Sequence, residues 1–237
     1  MEALQLIGPF KQLLTMEALP LKGPLSDSQL WIIEEAGILV SEGKVIATGN
    51  FDSLKKEHAS AECHELTGAH VCLPGFIDAH THICFGGSRA NDYALRNSGK
   101  TYLEIAKAGG GIWDTVTQTR KADKETLIKK TAKLANRHLK TGITTLEVKS
   151  GYGLSIQEEV KMLEAIREAN KETPSDLIST CLGRPYVSQG LQGFQSGLFK
   201  RIIRNHSSII KRKRTYQQNR CLYRGKCLFA GGNCPLF

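Results

Sequence analysis

The sequence predicts an α/β protein, with a small β-rich module over residues 1–73 and alternating strands and helices over residues 74–183. Short runs rich in Ile and Val, punctuated by Glu and Gly, fill the first segment. Beyond Pro74, short strand-like runs alternate with helical stretches of roughly 15 residues, the spacing of βαβ units around a parallel sheet. Both patterns stop near residue 184, and residues 184–237 show no sustained period.

In the first segment, LWIIEEAGILVSEGKVIATG (residues 30–49) is interrupted at Glu34 and Glu35 and again at Glu42 and Gly43, so short antiparallel strands are expected. Residues 38–40 and 45–47 form a hairpin in this reading, turning through Glu42, Gly43 and Lys44. A last strand covers 70–73 and ends at Pro74 and Gly75.

The second segment opens with a mostly apolar strand over 76–80. Residues 92–108 have helix-forming composition, and Gly109, Gly110 and Gly111 break the chain after them. A strong helix covers 123–140: Asp123 is its N-cap, Leu127, Ile128, Ala132, Leu134, Ala135 and Leu139 give an apolar face, and Gly142 ends it. Residues 144–148 make the next strand. Ser155 then opens a second helix with Glu158 completing a capping box, and 177–181 is a further strand.

Charge separates the last quarter from the rest. The net charge is +9, yet all 23 Asp and Glu lie before residue 177, while residues 177–237 hold 11 Lys and Arg and no acid. The basic balance therefore belongs to the tail, which carries no recognisable nucleic-acid module, so no nucleic-acid partner is expected. No long apolar run and no charged-then-apolar leader is present, so the expectation is no membrane association and a cytoplasmic enzyme. Seven cysteines without metal spacing argue against a disulfide framework or a zinc knuckle.

The chemistry is concentrated in PGFIDAHTH, residues 74–82. His80 and His82 stand two apart, and on a strand that spacing directs both imidazoles to one face, where a metal ion can sit. Asp78, two residues earlier, is expected on the same face. His58, His64, His70 and His138 have no such spacing, the glycine run lacks the Lys-Ser/Thr of a phosphate loop, and Glu147 and Lys149 are read as ordinary strand-end residues.

PGFIDAHTH resembles a signature of the metal-dependent amidohydrolase superfamily. Within it, FGGSRANDYALRNSGKTYLEIAKAGGGI (85–112) and GITTLEVKSGYGLS (142–155) resemble stretches of the imidazolonepropionase family, and the likeness runs over roughly residues 30–183. The resemblance implies an incomplete TIM-type (β/α)8 barrel over 74–183, preceded by a small β-sandwich segment over 1–73. It implies hydrolysis of the ring amide of 4-imidazolone-5-propanoate to N-formimidoyl-L-glutamate, with one Zn2+ or Fe3+ held in part by His80 and His82. It makes Arg89, Tyr152 and Tyr102 substrate-binding residues, Arg89 gripping the propionate, and implies a homodimer for the intact family.

The likeness breaks at Arg184 and Pro185, where the family continues with Ala-His. The family's third metal-ligating His, its general acid/base Glu, a further His and a metal-ligating Asp lie beyond that point and have no counterpart here; His206 matches no family motif. The unmatched basic tail, 184–237, is expected to be an out-of-frame translation, and the chain a catalytically inactive fragment.

Overall fold

The structure is a computed structural model that describes residues 4–20, 23–182 and 227–229. The expectation of an out-of-frame tail falls almost wholly outside the described residues. The described chain divides into two compact units, one ending at Gly75 and including 227–229, the other starting at Phe76.

The first unit is built on strands β1 (Gln5–Leu14), β2 (Ile32–Ser41), β3 (Lys44–Asn50), β4 (Glu62–Glu65) and β5 (Val71–Pro74), with helix α1 (Phe51–Glu57) after β3. β1 pairs antiparallel with β2 and parallel with both β4 and β5. A three-residue strand, Cys227–Phe229, lies antiparallel to β5. The hairpin between β2 and β3 turns on Glu42 and Gly43 at φ 50° and 68°. Positive φ at both central residues is what a tight right-twisted hairpin requires. The expected break at Glu34 and Glu35 does not occur. β2 runs through both residues because their side chains are exposed, and only Glu35, at φ 46°, distorts the backbone. Leu6, Leu39, Phe51 and Leu54 form one buried cluster, and Phe10, Leu13, Ala36, Ile38 and Cys72 another. The sequence reading missed α1, whose two turns offer only Phe51 and Leu54 as buried positions. Asn50 caps it by accepting from the Ser53 N–H.

The second unit runs β6 (Phe76–Thr81), α2 (Ala90–Asn97), α3 (Tyr102–Lys107), α4 (Ile112–Lys121), α5 (Lys124–Lys140), β7 (Ile143–Lys149), α6 (Ile156–Ala169) and β8 (Asp176–Thr180). Its sheet is three-stranded and parallel, ordered β6-β7-β8. Leu127, Ile128, Ala132 and Ala135 of α5 and Met162, Ala165, Ile166 and Ala169 of α6 bury Leu146 and Val148 of β7 and Leu177 of β8. Asp123 caps α5 as expected, accepting from the Thr126 N–H at 2.7 Å. Ser155 caps α6, but Glu158 turns to Lys161 instead of closing the box.

The helix expected over 92–108 is two helices. Gly99, at φ 88°, turns the chain between them, and Thr101 restarts it in a capping box with Glu104. α4 was not anticipated because its buried face is largely threonine: Thr115 and Thr119 flank Val116, and the Thr119 hydroxyl donates to the Thr115 carbonyl at 2.6 Å. A hydrophobic stripe is therefore absent from the sequence at this helix. Among the described residues no helix is long and apolar enough to cross a membrane.

Cys84 lies fully buried in the core of this unit, and burial pushes its thiol up from 9.0 to about 11. The folded pKa is raised, so the stability held by the neutral thiol is fully present below pH 9.0 and is lost as pH rises through about 11. Iodoacetamide at pH 8.5 is expected to modify the exposed Cys63 while sparing Cys84 until denaturant unfolds the chain; mass spectrometry of the alkylated peptides checks this.

Candidate active site

The parallel register places the candidate residues at one end of the three strands. β7 alternates: Thr144, Leu146 and Val148 are buried, the last two against α5 and α6, so Thr145, Glu147 and Lys149 project from the opposite face. Lys149 is level with Thr180 of β8, and Val148 is level with Thr81 of β6. His80 and His82 flank Thr81 and so share the face of Glu147 and Lys149. The two imidazole centroids are 5.5 Å apart with the rings tilted by 58°.

Asp78 does not join them. A one-residue register shift between Asp78 and Thr81 leaves Asp78 level with Leu146. A bulge of this kind reverses the alternation of faces. The carboxylate of Asp78 instead accepts the backbone N–H of His80 at 3.1 Å.

The two histidines differ in environment. His80 is exposed; His82 is part-buried, and its Nδ1 is buried with no hydrogen-bond partner among the described residues. Burial, then the neighbouring His80 and Lys149, push the His82 imidazole below its ordinary value, favouring the neutral form that ligates metals.

Glu147 and Lys149, read from sequence as ordinary strand-end residues, form an ion pair on this face at 2.7 Å. The Thr180 hydroxyl donates to the second oxygen of Glu147 at 2.5 Å, and the Thr81 hydroxyl donates to the Glu147 carbonyl at 2.8 Å. The signal that could have found them is the one that found the histidines: an i, i+2 pair at a strand's C-terminal end.

Tyr152 is brought to His82, with ring centroids 5.7 Å apart. Its loop leaves β7 and enters α6, and Glu159 holds it in place. This buried carboxylate accepts the backbone N–H groups of Gly153 and Leu154 at 2.8 and 3.0 Å. Gly153 is obligatory, because a Cβ there would lie 2.6 Å from the Glu159 nitrogen. Burial pushes the Tyr152 phenol up, and the Arg89 guanidinium works against that shift. Glu159 had no sequence signal beyond its place in the first turn of α6.

Arg89 stands at the N-terminus of α2. Its Nε donates to Asp92 at 2.5 Å and its Nη1 donates to the Thr115 hydroxyl at 3.5 Å, which uses two of the five guanidinium N–H groups. The Gly111 N–H, donating at 2.8 Å, and then the Arg89 guanidinium hold the Asp92 carboxyl below the usual carboxylate range. A Cβ on Gly110 would come within 2.2 Å of Asp92 Oδ1, so the glycine run serves as a seat for that carboxylate. Arg89, Asp92, Tyr93, Arg96, Lys100 and Tyr102 are among the residues lining a cleft of about 540 Å³. His80, His82 and Tyr152 are not among the lining residues of that cleft.

The paired imidazoles, one with a buried unpartnered nitrogen, fit two ligands of a metal ion. Among the described residues no group of three or more His, Cys, Asp or Glu could hold one, so the fit is to part of a ligand set.

No family model matches the chain. An imidazolonepropionase from Geobacillus sp. (strain WCH70) is 42% identical over 180 residues, which cover 74% of this chain and 42% of the relative. Over that stretch the chain is homologous to imidazolonepropionases. The imidazolonepropionase of Alkaliphilus oremlandii (strain OhILAs) is 36% identical over 205 residues, covering 85% of this chain and 48% of that relative. The chain therefore spans less than half the length of these curated imidazolonepropionases. E. coli guanine deaminase superposes with a TM-score of 0.53 at 18% identity, over 86% of this chain and 42% of its own, a likeness of fold.

Glu159→Ala is expected to release the Tyr152 loop. The loss of two charge-assisted bonds should cost about 1–3 kcal/mol in denaturant unfolding. Contacts between the Tyr152 and His82 rings, followed by NMR, should disappear. Glu159→Gln, which keeps an acceptor, should retain most of both signals.

Proposed function

We propose that this chain carries metal- and substrate-binding residues of an imidazolonepropionase-type hydrolase. In that reaction water adds to the ring carbonyl of 4-imidazolone-5-propanoate, the ring C–N bond breaks, the nitrogen takes a proton, and N-formimidoyl-L-glutamate results. The observation that carries this reading is the meeting of His80, His82 and Tyr152 at adjoining strand ends in a chain homologous to imidazolonepropionases. In this reading the described units are a small β-sandwich and the opening βα units of a TIM-type barrel. The partner is a small molecule, and the intact enzyme is a cytoplasmic homodimer.

His80 and His82 would hold the Zn2+ or Fe3+. When bound, such an ion makes a water molecule acidic enough to supply hydroxide near neutral pH. The chain's own residues bind and orient. The planar guanidinium of Arg89, kept in position by Asp92 and Thr115, takes the substrate carboxylate. The Tyr152 hydroxyl approaches the substrate from the loop over His82, and Tyr102 contributes from the Arg89 cleft. Holding the ring carbonyl in one orientation lowers the entropic part of the barrier.

A second reading, that this particular chain does not turn over, is favoured by the two-imidazole set. A catalytic site of this kind needs at least three protein ligands, and the described residues supply two. The chain should therefore hydrolyse imidazolonepropionate at under about one hundredth of the rate of a full-length relative, with zinc or iron added. Loss of the ring's ultraviolet absorbance measures this, and a comparable rate would overturn the inactive reading. Arg89→Ala should weaken binding of 3-(imidazol-4-yl)propanoate by about tenfold or more while leaving binding of 4-ethylimidazole, which lacks the carboxylate, unchanged. Calorimetry with both ligands decides the assigned role of Arg89.

A further inference from the structure

We infer that Glu147 is a charge-compensating positioning residue for the His80/His82 cation site: by pairing with Lys149 it allows an ammonium to stand beside His82 without repelling the cation the histidines bind. The inference rests on the reading of His80 and His82 as metal ligands and adds a role for two residues outside that ligand set.

Three observations carry it. Lys149 projects from the same sheet face as the histidines, at the C-terminal end of the neighbouring strand, one residue past the Thr81–Val148 pair just as His82 is. It is only 7% exposed, so water screens it poorly and a bare ammonium there would act strongly on a nearby cation. Finally, both Glu147 oxygens are engaged, one by Lys149 at 2.7 Å and the other by the Thr180 hydroxyl at 2.5 Å. The carboxylate is thus fixed between β7 and β8. With both oxygens taken, the carboxylate acts on the site through Lys149.

Charge compensation and simple structural support predict opposite signs for the two partners. If the pair only braces the strands, removing either member loosens the site. If Glu147 neutralises Lys149, losing Glu147 weakens cation binding and losing Lys149 strengthens it. The test is Co2+ titration of the 237-residue chain at fixed pH and ionic strength, followed by visible absorption. Circular dichroism checks that each variant is folded.

His82→Ala should abolish the absorption band. Glu147→Gln should weaken Co2+ binding about tenfold, the size expected for one uncompensated charge in a poorly screened site. Lys149→Met should strengthen binding several-fold, and the double variant should return to within about threefold of the wild type. Weaker binding in Lys149→Met, or a double variant as weak as Glu147→Gln, overturns the inference and leaves the metal reading standing. Equal binding by wild type and His82→Ala overturns both. If Glu147→Gln fails to fold, the double variant, which leaves no unpaired charge, still decides: binding tenfold weaker than wild type overturns the inference.

Discussion

Parallel pairing of β7 between β6 and β8 is the constraint on which the second unit depends. Parallel strands end together, so the C-terminal ends of three segments distant in sequence form a single rim. The side-chain period of two then sorts each strand's residues between the helix-covered face and the other. Leu146, Val148 and Leu177 go to the core under α5 and α6, and Glu147, Lys149 and Thr180 go to the face that His80 and His82 share. A one-residue slip of β7 would exchange these sets, burying an ion pair among aliphatics and baring Leu146 and Val148. The cost of that exchange locks the register, and the register locks the geometry of the histidines.

Two carboxylates anchor the loops that reach toward this rim. Glu159 collects the N–H groups of the loop after β7, and Asp92 collects the Gly111 N–H and the Arg89 guanidinium. In both places a glycine permits the backbone to approach so closely that any Cβ would collide. A carboxylate accepting several backbone donors is an economical anchor, because each loop N–H it takes would otherwise need water. Tyr152 and Arg89 thus owe their positions to Glu159 and Asp92.

Much of this was legible beforehand because it rests on local rules. The strands at 76–81 and 143–149 and the helices at 124–140 and 156–169 carry strong apolar periods and clear caps. His80 and His82 were found by their spacing. Elements without a period were missed: α1 is too short to show one, and α4 buries threonines where an apolar stripe is sought. Helix-forming composition over 92–108 could not locate the turn at Gly99, since composition averages over the two helices it joins.

What the sequence determined by itself was the order of the strands and helices with strong periods, the i, i+2 histidine pair, the loop tyrosine between glycines, and the confinement of the excess positive charge to the last quarter. Each is a property of residues near one another in the chain. Tertiary structure decided which of those residues meet. Asp78 leaves the histidine face because a bulge, visible only in the pairing with β7, reverses its side. Glu147 and Lys149 join that face because the neighbouring strand aligns them with it, and Glu159 matters because a turn folds the Tyr152 loop back onto its carboxylate. Register and loop closure are set by packing between segments tens of residues apart, so no local pattern encodes them.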